Sequence, residues 1–272
     1  ADAKKILFDN LTEDSIAIIN SDDEFASYII KDCKATSILR VGRQENADFI
    51  IKNENLSLKG IKFELIHNNI SYNIQSPLLG KFNIDNLAQA FAISMSLGFE
   101  PQEICKCLKT ATGAPGIMES YNLPNGAIAI IDYAHTPDAL EKALQSLRNI
   151  HKSVAIEGKI ISVFGCGGNR DRGKRPKMGK IACDLSNYVI LTNDNPRDED
   201  PQVIFNEILE GISENYKNNV QIIPNRAEAI KYAIDISKEN DIILIAGKGH
   251  EEYQIIGKER LPFSDKNIII NY

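Results

Sequence analysis

No stretch of the 272 residues approaches the roughly 18 consecutive apolar positions of a membrane-spanning helix. There is no internal repeat and no low-complexity tract, which excludes repeat arrays and long disordered segments. Positive charge is not in excess. The formal net charge of -6 argues against nucleic-acid binding by the chain as a whole. The five cysteines, Cys33, Cys105, Cys107, Cys166 and Cys183, are odd in number and form no CxxC. A disulfide framework is therefore not expected, and free thiols in a reducing, cytoplasmic compartment are. An initiator methionine is also missing. Ala1–Phe8 reads as a helix already under way with no N-cap before it, so the chain is expected to be cut from something longer. What remains, 43% hydrophobic and 25% charged residues, is an ordinary globular composition long enough for about two domains.

The two halves differ in texture. Short strands are expected at Ser15–Asn20, Thr36–Val41, Asp48–Lys52, Gly60–Ile66 and Ile70–Ile74, with Asn68-Asn69 as a hairpin turn. A helix over Asp85–Leu97 places Leu87, Ala90, Phe91, Ser94 and Leu97 on one face, and Pro101–Thr110 is a second helix. The Gly/Pro cluster Thr112–Gly116 is a linker, giving domains 1–113 and 114–272. Beyond it the pattern alternates strictly. Strands at Ala127–Ile131, Lys159–Phe164, Tyr188–Thr192, Val220–Ile223 and Asp241–Ala246 are interleaved with helices at Pro137–Ile150, Arg175–Leu185, Pro201–Tyr216 and Arg226–Lys238. Tyr253–Gly257 closes as an edge strand. Continuous apolar strands between amphipathic helices predict an α/β fold whose mostly parallel sheet carries helices on both faces.

Such sheets bind ligands beyond the carboxyl ends of their strands, and there the loops are chemically rich. They read Asp132-Tyr133-Ala134-His135, Gly165 to Pro176, Thr192 to Arg197, and Gly247-Lys248-Gly249-His250-Glu251. Gly168-x-x-x-x-Gly173-Lys174 nearly spells a phosphate-binding P-loop, but Arg175 stands where a magnesium-holding Ser or Thr is needed. Gly165-x-Gly167-x-x-Arg170 lacks the third glycine of a dinucleotide fingerprint. Taken singly, His135 and His250 read as structural, Asp194 as a turn brace, Arg197 as a solvated charge and Cys166 as a small buried filler. Four charged or Gly-rich loops on one rim favour a ligand bearing carboxylates, amines or phosphates.

With these motifs in order, DYAHTPDALEKAL from Asp132, FGCGGNRDRGKRP from Phe164, DNPR from Asp194 and AGKGHE from Ala246, the chain resembles the Mur ligases over nearly its whole length. The resemblance implies the C-terminal part of a central ATPase domain over 1–113, without its P-loop. A complete Rossmann-like, amino-acid-binding domain follows over 114–272. It implies ATP and Mg2+, and addition of meso-diaminopimelate to UDP-MurNAc-L-Ala-D-Glu through an acyl phosphate, with no nucleic-acid or membrane partner. The nucleotide precursor would be held through domains outside this chain. The competing reading is a non-catalytic or degenerate diaminopimelate-binding module.

Residue by residue, Lys4 matches the family lysine that is carbamylated to ligate magnesium. Asn83 and Asn86 match the adenine-side GxxNxxN element, while Asp132 and His135 match the motif that contacts the nucleotide. Arg170, Asp194, Asn195, Pro196, Arg197, Gly247 and Glu251 match the diaminopimelate contacts. Arg197 would clamp the far carboxylate that lysine lacks, while Asp194 and Glu251 accept from the ammonium. One position departs from the pattern: the linker reads Gly116-Ile117-Met118-Glu119 where the family has G-R-M-E. Ile117 supplies no charge, which puts ATP binding or phosphoryl transfer in question.

Overall fold

The computed structural model describes residues 1–154 and 157–272. They divide into two units, Ala1–Thr112 and Gly113–Tyr272. The first runs α1 (Asp2–Asp9), β1 (Ile16–Asn20), α2 (Ala26–Ile29), β2 (Ser37–Gly42), β3 (Phe49–Ser57), β4 (Gly60–His67), β5 (Ile70–Ser76), α3 (Phe82–Ser96) and α4 (Pro101–Leu108). Its sheet has the order β1-β2-β3-β4-β5. The first three strands are parallel, and β3, β4 and β5 form an antiparallel meander. Asn68 and Asn69 both take positive φ, 50° and 61°, which is the backbone a tight two-residue hairpin requires.

Helix α3 covers this sheet, but not with the expected face. Ile84, Leu87, Ala88, Phe91 and Ala92 are buried against Phe49, Ile51, Ile61, Phe63 and Leu65. Ala90 is exposed, and Leu97 is 71% exposed. The helix starts three residues earlier than expected, at Phe82. The i, i+3, i+4, i+7 series therefore begins at Ile84, and Leu97 falls at the cap before Gly98.

The second unit runs β6 (Glu119–Asn122), β7 (Ile128–Asp132), α5 (Pro137–Val154), β8 (Ile160–Phe164), α6 (Lys174–Leu185), β9 (Tyr188–Leu191), α7 (Pro201–Leu209), β10 (Val220–Ile222), α8 (Arg226–Ile236), β11 (Ile242–Ala246), β12 (Tyr253–Ile256), β13 (Glu259–Pro262) and α9 (Asp265–Ile270). The main sheet has the order β10-β9-β8-β11-β7-β6. All its pairs are parallel except β6 with β7. Ile161, Val163, Ile243 and Ile245 face α8 and Ile269 of α9, while α5 and α6 pack on the other side. Strands β8 and β11 are wholly buried, as expected of central parallel strands. Because β11 inserts between β7 and β8, the strand order reverses there and opens a crevice at the carboxyl ends.

Two expectations fail in this unit. Tyr253–Gly257 is not an edge of the main sheet. Tyr253–Ile256 pairs instead with Glu259–Pro262 in a separate hairpin turned at Gly257, φ 58°. The edges are β10 and, beside β7, β6, whose alternately half-exposed Glu-Ser-Tyr-Asn carries no apolar run. The helix begun at Pro201 stops at Leu209 rather than Tyr216, and Glu214–Asn219 forms a 3-10 turn. At Gly211 the backbone passes so close to Pro176 that an added Cβ would sit 1.8 Å from its carbonyl oxygen. The chain turns away there.

Candidate functional site

The four loops at the carboxyl ends of β7, β8, β9 and β11 are bonded to one another. The Gly247 amide donates to the Asp132 carbonyl at 3.0 Å, and the Gly168 amide to the Asn195 carbonyl at 2.9 Å. Lys174 donates its ammonium to the His135 carbonyl at 2.7 Å. The lysine of the near-P-loop is thus tied to a neighbouring loop. Glycine is required where two of these loops cross. A Cβ on Gly168 would stand 1.8 Å from the Pro196 oxygen, and one on Gly165 2.0 Å from the Thr192 oxygen.

Beyond β9, Asp194, Asn195 and Pro196 are buried and Arg197 is half-buried. Arg197 holds a left-handed backbone, φ 53°. Its Nη1 donates to the Gly168 carbonyl at 2.9 Å and, more distantly, to the Asn195 carbonyl at 3.4 Å. Nε and Nη2 have no protein partner among the described residues, so the guanidinium fork stays open to a ligand. The Asn195 amide donates to Glu251 Oε2 at 3.1 Å, and its Oδ1 accepts from the Ile255 amide at 2.9 Å. Gln254 donates to the carbonyls of Asn193 and Asp194 at 3.2 and 2.8 Å. Gly247 lies at φ 115°, where a Cβ would approach the Asp194 carboxylate to 3.8 Å. Arg170 is exposed on the same rim. A cavity of about 590 Å³ adjoins Glu251, lined by Tyr133, His250, Tyr253 and Arg260.

Sequence reasoning passed over Lys248. It is fully buried, and its ammonium lies 3.2 Å from Asn195 Oδ1, 3.2 Å from Glu251 Oε2 and 3.4 Å from Asp194 Oδ1. It also passed over the buried Arg226–Asp265 pair, in which Arg226 donates to Asp265 at 2.7 and 2.8 Å and to the Ala246 carbonyl at 3.1 Å. Arg175, read only as an obstacle to a P-loop, is fully buried. It bonds Glu199 at 2.5 Å, Glu207 at 2.6 Å and the Gly167 carbonyl at 3.1 Å, fastening the Gly-rich loop to α7 and the turn before it.

Asp132 is buried at the end of β7. One oxygen accepts from the Met118 amide and the other from the Ala134 amide, each at 2.9 Å. Burial raises its carboxyl above the usual range, and the two amides oppose that rise. His135 is exposed, with Nδ1 2.8 Å from the Tyr133 carbonyl. The other nucleotide candidates lie in the first unit. There the Asn83 amide donates to the Leu79 carbonyl at 2.7 Å, and Asn86 donates to Asn83 Oδ1 at 3.1 Å. Ile117, at the position of the family arginine, is 36% exposed between Gly116 and Met118, both at positive φ.

Lys4 is exposed, and its neighbour Lys5 is the one held by acids, at 2.5 Å from Asp9 and 2.7 Å from Asp32. Among the described residues no group of three or more His, Cys, Asp or Glu could hold a metal ion. Among the described residues, no helix is long and apolar enough to cross a membrane.

Cys166, inside the Gly-rich loop, is a filler against Met178, with its sulfur 3.7 Å from the thioether. Burial pushes its thiol up to about 12 and does the same for Cys183. Thiol alkylation of the folded protein at neutral pH is expected to reach the exposed Cys107 and to spare both buried thiols. Labelling of Cys166 as fast as Cys107 would contradict the packing described.

This architecture, a parallel sheet with a charged, Gly-braced crevice at its carboxyl rim, matches two family models. The "Mur ligase middle domain" covers residues 1–94, and the "Mur ligase, glutamate ligase domain" covers 118–249. The chain belongs to the Mur ligase family. Within it, the chain is 44% identical over 266 residues to a protein of Rickettsia bellii named UDP-N-acetylmuramoyl-L-alanyl-D-glutamate–2,6-diaminopimelate ligase, covering 97% of this chain and 54% of that protein. A solved structure of an enzyme with that name superimposes with a TM-score of 0.73 at 38% identity, covering 99% of this chain and 55% of the other. A MurF ligase of Thermotoga maritima, solved in complex with ADP, shares the fold at 15% identity and a TM-score of 0.63, over 88% of this chain and 51% of its own. The chain thus spans about half the length of the relatives it matches.

Proposed function

We propose that this chain supplies the acceptor-amino-acid site of an ATP-dependent ligase that joins meso-diaminopimelate to the D-glutamate carboxylate of UDP-MurNAc-L-Ala-D-Glu. The observation that carries the reading is the pairing of an open Arg197 fork with the Asp194 and Glu251 carboxylates on one rim. Arg197 takes the far carboxylate of the amino acid through two parallel hydrogen bonds, and the two acids receive its ammonium. The other amine is thereby directed outward as the nucleophile. In the whole reaction a D-glutamate carboxylate oxygen takes the γ-phosphoryl of ATP, and ADP leaves. The amine then attacks the acyl carbon, phosphate departs, and the nitrogen loses its proton. Within the second unit, Asp132 and His135 are assigned to the nucleotide. Each Asp132 oxygen keeps a lone pair for a ribose hydroxyl after accepting its backbone amide. No true P-loop sequence occurs in the 272 residues.

Ile117 supports a second reading, a diaminopimelate-binding module without turnover. One experiment separates the two. The native protein, isolated from its own cells in its longest form, is given ATP, magnesium, the UDP-MurNAc dipeptide and meso-diaminopimelate, and the product is read by mass spectrometry. The tripeptide product is expected. Binding of diaminopimelate without product leaves the module, and no binding at millimolar ligand overturns both.

A further inference from the structure

The hairpin of β12 and β13 turns its two faces to different surroundings. Gln254 is buried and donates to the carbonyls of Asn193 and Asp194 at 3.2 and 2.8 Å, which fixes one face against the loop beyond β9. On the other face Tyr253 lies opposite Pro262 and Ile255 opposite Arg260, so Tyr253 and Arg260 are diagonal neighbours. The Arg260 guanidinium carbon stands 3.7 Å from the Tyr253 ring centroid. Stacking occupies the flat face of a guanidinium and leaves the N–H groups at its edge free. Arg260 is exposed, and those N–H groups have no protein acceptor among the described residues. The side chain is held by an aromatic ring rather than by an acid, and its fork is open to an anion from outside.

Both residues line the cavity of about 590 Å³, together with Tyr133, His250, Glu251 and Glu252. That volume lies within the usual range of small-molecule sites, about 300–1,000 Å³. Its charged walls are Glu251, Glu252 and Arg260, and neither Arg170 nor Arg197 is among the described residues that line it. Glu251 Oε2 is taken by Asn195 and Lys248 at 3.1 and 3.2 Å, while Oε1 has no partner among the described residues. One cavity thus offers a free carboxylate oxygen and a free guanidinium, which suits a ligand carrying both an ammonium and a carboxylate. We propose that Arg260 is a further substrate-binding residue, receiving the carboxylate beside the reacting amine of the acceptor amino acid. This rests on the acceptor reading given above, in which Glu251 takes the ammonium at the opposite end. Arg197 binds the far carboxylate, which lysine lacks. Arg260 binds the near one, which diaminopimelate and lysine share. Arg197 therefore discriminates between the two amino acids, and Arg260 adds affinity for both alike.

The test is calorimetric titration of meso-diaminopimelate, L-lysine and L-lysinamide into the 272-residue chain, wild type and Arg260→Met. Methionine keeps an apolar stem over the Tyr253 ring and removes the charged fork. Diaminopimelate and lysine are each expected to weaken by about tenfold or more, and by the same factor, so that their ratio stays within about threefold of wild type. Lysinamide lacks the carboxylate and should bind wild type and variant alike, which also shows that the variant's pocket is folded. Unchanged affinity for diaminopimelate in Arg260→Met overturns the proposal and leaves the acceptor reading standing. A collapse of the diaminopimelate-to-lysine ratio overturns it too. The Arg197 amide donates to the Ile255 carbonyl of this hairpin at 3.1 Å, so a residue that merely braced the hairpin would act through Arg197 and move that ratio. Equal weakening of all three ligands marks a damaged pocket rather than a lost carboxylate contact, and it also overturns the proposal. A wild-type chain that binds none of the three overturns the acceptor reading and this inference together.

Discussion

Replacing Asp265 with alanine is expected to destabilise the second unit by about 3–5 kcal/mol, the usual cost of leaving one partner of a buried ion pair alone. Asp265 and Arg226 are both fully buried and joined through two hydrogen bonds of 2.7 and 2.8 Å. The Asp265 charge keeps the Arg226 guanidinium protonated against the opposing pull of burial. One guanidinium nitrogen, Nη1, has no hydrogen-bond partner among the described residues. Thermal unfolding should move down by roughly 10 °C for a unit of this size. Replacing both residues by apolar ones of similar volume should recover most of the loss, since the pair as a whole need not be stabilising. An Asp265→Ala melt within about 2 °C of wild type would show that the pair is not sealed as described. The effect should reach the rim as well, because Arg226 also holds the Ala246 carbonyl, one residue before Gly247.

Arg197→Ala is expected to reduce the preference for diaminopimelate over lysine by about a hundredfold or more, because a pocket that pairs a half-buried fork with a carboxylate rejects ligands lacking it. Diaminopimelate should weaken strongly and lysine hardly at all. The folded state should lose little. The side chain's protein partners are two backbone carbonyls, one of them at 3.4 Å. The measurement is paired titration of the two amino acids into wild type and variant. An unchanged ratio would remove Arg197 from the site.

Legibility in the sequence followed the range of the interaction. Strands β8 and β11 are continuous apolar runs because both faces are covered, and a local reading finds them. Strand β6 is invisible to that reading because only its register with β7 makes it a strand. The hairpin turn at Asn68-Asn69 was legible from two residues, since few others tolerate that backbone. The loops at the rim were legible as loops, and the resemblance singled out Asp194, Arg197 and Glu251. Lys248 was not singled out. Its partners Asp194 and Asn195 lie 54 and 53 positions away, and nothing in Gly-Lys-Gly-His announces a buried charge. Arg226 and Asp265, 39 positions apart, were missed for the same reason. Charge pairing across a fold has no period to read.

The backbone at position 197 carries one more consequence. The Arg197 amide donates to the Ile255 carbonyl at 3.1 Å, and the Arg197 carbonyl accepts from the Gly257 amide at 2.8 Å. The loop and the hairpin are thus riveted together by main-chain atoms that every residue but proline possesses. The mount is fixed, and the side chain on it can change among the residues that tolerate φ 53°. If the acceptor reading holds, a different acceptor could be met by changing this one side chain, within the residues that accept a left-handed backbone, while the surrounding scaffold stays in place.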